Sequence, residues 1–348
     1  MFSQKIATVK DLLIKLDVDA IVIHRPFDFY WITNVELFFG FIIITKNNIG
    51  CMFDGRDALQ INECLKSTPI KCIKINPAKT VQELTKYFKQ HKIKSIALSM
   101  DTSVSELSAY FDKWQVNKFF NSYEMRSIKT KEEIKLLQKS ADIACAGIFM
   151  LKKFIKPGVS ELEAEKKLLS FFIDKGASTV SFRPIILFGE HSAYIHGTPS
   201  NRRYKAGENI LADIGCIYEG YCSDITRCWG AKNKELIRIR KLVTNAQQQA
   251  VKMVKPGVKA KDIDVFTRQT INKYKNQTYE HGTGHGVGLY IHERPVINAV
   301  SQDIIKENNV FSVEPGIYIE GFGGIRIEDT VVATENGCIV LTKKAPKY

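Results

Sequence analysis

The sequence predicts a two-part protein: an α/β domain over residues 1–122, then a larger α+β domain over 123–348 built from an internal duplication. Three observations predict this. Strand-like and helix-like runs alternate in the first third of the chain. Lys156-Pro157-Gly158-Val159 recurs as Lys255-Pro256-Gly257-Val258, roughly 100 residues later. At a similar spacing, Asp213-Ile-Gly-Cys-Ile-Tyr-Glu-Gly-Tyr is answered by Glu314-Pro-Gly-Ile-Tyr-Ile-Glu-Gly-Phe.

The elements follow in order. Ile6 to Leu16 has the apolar spacing of an amphipathic helix. Ala20 to Ile23 and Phe41 to Ile44 read as short buried strands. Asn47-Asn48 reads as a turn before a strand over Ile49 to Phe53. Helical patterns follow at Ala58 to Leu65 and Val81 to His91, and Ser95 to Leu98 is a further strand. The second domain opens with a long amphipathic helix, Thr130 to about Lys153, which Lys156-Pro-Gly-Val stops. Ser160 is the next N-cap, and Glu163 completes a capping box. Ala260 stands at the corresponding place in the second copy, a weaker start. Two helix pairs are expected to pack on one side of a curved antiparallel sheet.

The duplication carries chemistry. Asp213 and Asp224 lie on neighbouring strand-like runs joined by a Gly-containing turn, and Glu314 and Glu328 repeat the arrangement. Two halves facing across a pseudo-twofold axis would bring four carboxylates to one centre. His285, in His281-Gly-Thr-Gly-His285-Gly-Val-Gly, adds an imidazole. All five occupy apolar, Gly-flanked contexts unlike a solvated helix face. Four carboxylates in one pocket repel each other, and two divalent cations would cancel that charge. An oxygen-rich set suits Mn²⁺, Co²⁺ or Fe²⁺ better than a closed thiolate zinc site. The pattern points to a two-metal hydrolase.

Composition is compatible with this. An apolar fraction of 45% is that of an ordinary globular protein. No window approaches about 18 uninterrupted apolar residues, so no membrane span is expected. The N-terminus lacks the apolar core of a signal peptide. The eight cysteines are scattered, with no Cys-x-x-Cys pair, which suggests a reducing cytoplasmic location. The net charge of +13 would suit a nucleic-acid binder. However, the lysines are spread along the chain without a basic run, so neither nucleic acid nor membrane is expected as a partner.

From about Tyr194 to Thr330 the chain resembles the pita-bread metallopeptidases (peptidase family M24). These include aminopeptidase P, Xaa-Pro dipeptidase (prolidase), methionine aminopeptidase and creatinase. The resemblance rests on Ile-His196-Gly-Thr-Pro, the two aspartates, the His281–His285 segment, His292-Glu-Arg-Pro and Gly-Ile-Arg326-Ile-Glu328. Arg126-Ser-Ile-Lys-Thr-Lys-Glu-Glu-Ile134 resembles the linker that opens the family's catalytic domain. Asp28-Phe-Tyr-Trp-Ile-Thr-Asn34 resembles its Tyr-Leu-Thr-Gly stretch, with Asn34 where glycine is common.

The resemblance implies a pita-bread catalytic domain behind a creatinase-type N-terminal domain. It implies that Asp213 chelates one metal, that Asp224 and Glu328 bridge both, and that His285 and Glu314 complete the coordination of the second metal. A hydroxide between the metals would attack the scissile carbonyl, and Glu314 would pass its proton to the leaving nitrogen. His196 and His292 would contact the tetrahedral intermediate and the substrate carbonyl or carboxylate. His281 would line the pocket. Arg326, two residues before Glu328 and so on the same strand face, would hold a ligand carboxylate. His24, His91 and His191 read as ordinary residues, His191 standing where the family often has Asn.

Methionine aminopeptidase usually lacks such an N-terminal domain, and creatinase does not need the full ligand set. The expectation is therefore a homodimeric, Mn²⁺-dependent Xaa-Pro aminopeptidase that takes peptides with proline second, and the His285-to-Pro295 stretch leans that way. Prolidase is the first alternative, then a methionine aminopeptidase-like enzyme, then a non-catalytic pita-bread module that binds peptides.

Overall fold

The computed structural model describes residues 2–347. The chain divides after Arg126 into two compact units. The expected boundary at 122/123 falls at the start of a short helix, Ser122–Met125, that closes the first unit.

The first unit runs α1 (Phe2–Leu16), β1 (Ala20–Ile23), α2 (Pro26–Thr33), β2 (Gly40–Thr45), β3 (Ile49–Asp54) and α3 (Ala58–Leu65). It continues with β4 (Lys71–Ile75), α4 (Thr80–Gln90), β5 (Ser95–Ser99), α5 (Val104–Glu106), β6 (Gln115–Phe120) and α6 (Ser122–Met125). The six strands form one mixed sheet in the order β4-β3-β2-β1-β5-β6. β1, β2 and β3 are buried along their whole length, which is why each reads as an unbroken apolar run. The two edge strands, β4 and β6, have no such run. They are largely exposed and carry lysines, which protect an open edge and also hide a strand from pattern reading. Asn34 caps α2 with φ 56°, a left-handed position that asparagine tolerates.

The second unit opens with α7 (Lys131–Phe154) and α8 (Glu161–Asp174). Thr130 with Glu133, and Ser160 with Glu163, form capping boxes at their starts. Strands β7 (Thr179–Val180), β8 (Ile185–Phe188), β9 (Ile210–Ile214), β10 (Cys216–Tyr218), β11 (Tyr221–Cys222) and β12 (Ile225–Trp229) complete the first half. The second half has α9 (Lys234–Met253), α10 (Ala260–Asn272), β13 (Gly284–Gly286), β14 (Glu293–Ile297) and β15 (Val310–Val313). It ends with β16 (Gly316–Ile319), β17 (Gly323–Arg326), β18 (Asp329–Thr334) and β19 (Gly337–Val340). The N-cap of α10 is Lys259, which makes no side-chain capping bond, so this start is the weaker of the two copies.

The duplication is visible in backbone bonds. Gly158 N–H donates to Tyr204 O at 2.9 Å, and Gly257 N–H donates to Ile305 O at 2.9 Å. Both glycines have φ near 90° (94° and 88°), which explains the repeated Pro-Gly. The antiparallel sheet is divided into ladders ordered β11-β10-β7, β12-β9-β8, β14-β13-β15-β18-β19 and β16-β17. The breaks are equivalent: Gly215 interrupts after β9, and Glu314-Pro315 interrupts after β15, where proline offers no N–H. Leu168, Phe172, Ile186 and Ile214 fill the core of one half, and Ala250, Ile263, Phe311 and Val331 that of the other.

Candidate metal centre

Asp213 lies within β9 and pairs across the ladder with Thr226 of β12. Asp224 is the residue just before β12, Glu314 follows β15 and Glu328 precedes β18. His285 is the middle residue of β13. Carboxylate oxygens of Asp213, Asp224 and Glu328 lie within 4.8 Å of one another, and all three residues are buried. His285 Nε2 is 3.3 Å from Glu314 Oε1 and 3.6 Å from Asp224 Oδ2. The five predicted residues are thus brought together.

The electrostatics are those of crowded acids. Burial raises the pKa of Asp224 far above the usual carboxylate range, and the charges of Glu328, Asp213 and Glu314 add to it. Burial also raises Glu328 strongly, with Glu314 and Asp213 adding to the shift. For Asp213 burial outweighs the opposing pull of Arg326. Burial would raise Glu314 as well, but the hydrogen bond and charge of His285 bring it down to about 2. His285 is raised in turn, because Glu314 overcomes the cost of burying an imidazolium.

This donor set fits divalent cations. Asp213 Oδ1 and Glu328 Oε1 are buried with no hydrogen-bond partner among the described residues. Such orphaned oxygens are costly unless something cationic meets them. Against four carboxylates the centre offers one guanidinium, Arg326, and one imidazole. The remaining negative charge matches what cations supply.

The hydrogen bonds around the centre come from Arg326 and from Thr226, Tyr318 and Ser312, and the last three have no sequence signal of their own. Arg326 Nη2 donates to Asp213 Oδ2 at 2.5 Å, Nη1 to Tyr318 Oη at 2.8 Å and Nε to Thr226 Oγ1 at 3.2 Å. Thr226 Oγ1 donates onward to Glu328 Oε2 at 2.7 Å. Ser312 Oγ donates to Glu314 Oε1 and accepts from His285 N, each at 3.0 Å. The expectation that Arg326 and Glu328 share a strand face is corrected. β17 ends at Arg326 and β18 begins after Glu328, so the link between them runs through Thr226.

A cavity of about 620 Å³ opens onto the centre. His196, His281 and His292 line it, with apolar walls that include Phe182, Ile185, Ile291 and Val296. His292 meets the ring of His285 edge-on, with centroids 4.4 Å apart. Burial, helped by His285, holds the pKa of His292 below that of a free imidazole. His281 is lowered mainly by burial, and its Nε2 is 2.9 Å from Tyr318 Oη. His196 lies between two segments tied to the buried Glu161, which accepts from Phe188 N at 2.8 Å and from Ser200 N at 3.0 Å. His191 Nδ1 also meets Glu161, at 2.9 Å, so His191 is a support of this loop.

The family model of metallopeptidase family M24 matches residues 135–335. The chain belongs to this family. An uncharacterized peptidase of Staphylococcus aureus is 38% identical over 222 residues, 63% of this chain and 63% of the relative. The M24 chain therefore aligns with less than two thirds of that relative's length. Among solved structures, an Xaa-Pro dipeptidase from Bacillus anthracis superposes with a TM-score of 0.93 at 32% identity, covering 100% of this chain and 99% of its own. An X-Pro aminopeptidase from Thermotoga maritima superposes with a TM-score of 0.86 at 30% identity, covering 95% and 97%. The pita-bread architecture expected from the sequence is the one these structures share.

Proposed function

We propose that this M24 protein hydrolyses the bond between an N-terminal residue and a following proline. The observation that carries the reading is the buried cluster of Asp213, Asp224 and Glu328, with its orphaned oxygens, beside His285 and Glu314. Asp213, Asp224, His285, Glu314 and Glu328 would hold two divalent ions, with Asp224 and Glu328 shared between them and Mn²⁺ the first candidate. When bound, such ions lower the pKa of a water and stabilise the oxygens of the transition state.

Glu314 takes up a proton at Oε2, the oxygen not engaged by Ser312 and His285, and delivers it to the leaving nitrogen. His196 and His292 donate hydrogen bonds to the substrate carbonyl as it gains charge. His281 forms the wall, and Arg326 fixes Asp213. Proline brings a fixed φ and no N–H, so it needs apolar contact rather than a hydrogen-bond acceptor. The walls of Phe182, Ile185, Ile291 and Val296 supply that contact.

The motif around His292 favours longer peptides, as for an aminopeptidase. The dipeptidase reading is favoured by the likeness to the Bacillus anthracis structure along the whole chain. The first unit is proposed as the creatinase-type N-terminal domain of a homodimer. Among the described residues no helix is long and apolar enough to cross a membrane, and no cysteine is paired; both suit a cytoplasmic enzyme.

The test is kcat/KM of the Mn²⁺-loaded and Co²⁺-loaded protein on Ala-Pro, Ala-Pro-Ala, Ala-Ala-Ala and Met-Ala-Ser. Replacing proline by alanine should cost at least about tenfold, or ~1.4 kcal/mol of transition-state binding. The ratio of Ala-Pro to Ala-Pro-Ala decides between dipeptidase and aminopeptidase. Equal turnover of Ala-Pro-Ala and Ala-Ala-Ala, or a preference for Met-Ala-Ser, overturns the proline assignment.

A further inference from the structure

Lys129 and Glu293 form a buried ion pair outside the proposed ligand set. Lys129 Nζ is 2.8 Å from Glu293 Oε2, and the two side chains are 1% and 0% exposed. Glu293 immediately follows His292. Its Oε1 accepts from Tyr290 N at 3.3 Å. The backbone of Gly288 passes so close that a Cβ there would lie 2.2 Å from Oε2 and would displace the carboxylate. Glu293 also stands opposite Gly286 across the β13–β14 ladder, beside the irregularity between His285 and Gly286. The carboxylate is thus enclosed by the turn that joins His285 to His292.

Lys129 is itself fixed. Its N–H donates to Asn308 O at 3.0 Å, and Asn309 Nδ2 donates to Ser127 O at 3.0 Å. Ile128 forms a bridge with Asn309. The linker at the start of the second unit is therefore anchored to the segment before β15, and its lysine reaches the His285–His292 turn. An apolar pair of similar volume would often serve stability as well as a buried ion pair. A carboxylate between an ammonium and a backbone N–H adds direction, because each bond restricts where Glu293, and so its neighbour His292, can lie.

We propose that Lys129 and Glu293 are a positioning pair that sets His292 against His285; the role rests on the reading of His292 as a substrate-contacting residue. Lys129→Met removes the ammonium that meets the buried Glu293 carboxylate and tests folding as much as position. Lys129→Met/Glu293→Gln, which removes both charges, is the decisive variant, with Glu293→Gln beside it. The first readout is the set of histidine ring signals in NMR spectra of the metal-free protein, with the His292 signal identified by its loss in His292→Asn. The His292 signal should shift or broaden in the double variant, while those of His24 and His91 stay in place.

The second readout is kinetic. The double variant should keep wild-type metal content and lose roughly tenfold or more in kcat on Ala-Pro, with KM changed little, as for a displaced catalytic group. A folded double variant with an unchanged His292 signal and unchanged kcat overturns the proposal. Should the wild-type protein fail to cleave Xaa-Pro peptides, the functional reading falls by itself, and the ring signals still decide whether the pair positions His292.

Discussion

Arg326 holds one oxygen of Asp213 at 2.5 Å and leaves the other buried and without a hydrogen-bond partner among the described residues. A carboxylate held this way presents its second oxygen in a fixed direction. The guanidinium also grips Tyr318 and Thr226, so one side chain links Asp213 with the threonine that supports Glu328. Its planar set of donors makes this possible, and a lysine cannot reproduce it.

Arg326→Lys is therefore expected to lower Mn²⁺ affinity by about 10–100-fold, the usual cost of losing a group that orients a ligand. Thr226→Val should act in the same direction through Glu328. Competition of each variant with a chelator of known affinity measures this. Wild-type affinity in Arg326→Lys would remove the orienting role.

His196→Ala and His292→Ala should behave differently. Both residues line the cavity and neither belongs to the carboxylate cluster. These variants should keep their metal and lose on the order of 10²–10³ in kcat, as when an oxyanion donor is removed. Metal analysis beside steady-state kinetics separates the cases. Loss of metal in a folded variant would place that histidine among the ligands.

Much of this was legible in the sequence because the fold is a duplication, and its buried carboxylates recur with it. Asp213, Asp224, Glu314 and Glu328 stand at equivalent ends of equivalent strands. The amphipathic pattern of α7, the capping box of α8 and the buried strands β1 to β3 have local signals that survive folding. What escaped is non-local. Thr226, Ser312 and Tyr318 look like ordinary strand residues, and their importance arises only when chain segments far apart meet. Lys129 lies within the Arg126–Ile134 linker, and Glu293, which it meets, is 164 residues away. The edge strands β4 and β6 carry no strand signal, because partial exposure removes the apolar pattern that marks a strand.

His24, in the first unit, gives a pH prediction. Its side chain is 5% exposed and packs against Phe41 and Phe111, with Glu106 3.7 Å away. Burial lowers its pKa from 6.5 to about 4; Glu106 opposes the shift and Arg25 adds to it. Between these values the folded state binds fewer protons than the unfolded state, so stability falls as pH drops through that window. The loss is at most about 1.4 kcal/mol per pH unit. His24→Phe should flatten this acid limb relative to wild type in urea unfolding between pH 7 and pH 4 (~3 units). Parallel curves for the two proteins would refute the buried neutral imidazole.

Five side chains of this M24 chain are proposed to hold two divalent ions between its duplicated halves. Asp224 and Glu328 are the residues most dependent on those ions, because burial and neighbouring acids push both far from their usual ionisation. The most direct measurement is the metal content of wild type, Asp224→Ala and Glu328→Ala after Mn²⁺ loading and removal of free metal, read beside hydrolysis of Ala-Pro. About two ions per chain are expected in the wild type. One or none is expected in either variant, with activity abolished. A folded Asp224→Ala or Glu328→Ala that kept the wild-type metal content and full activity would contradict the two-ion assignment.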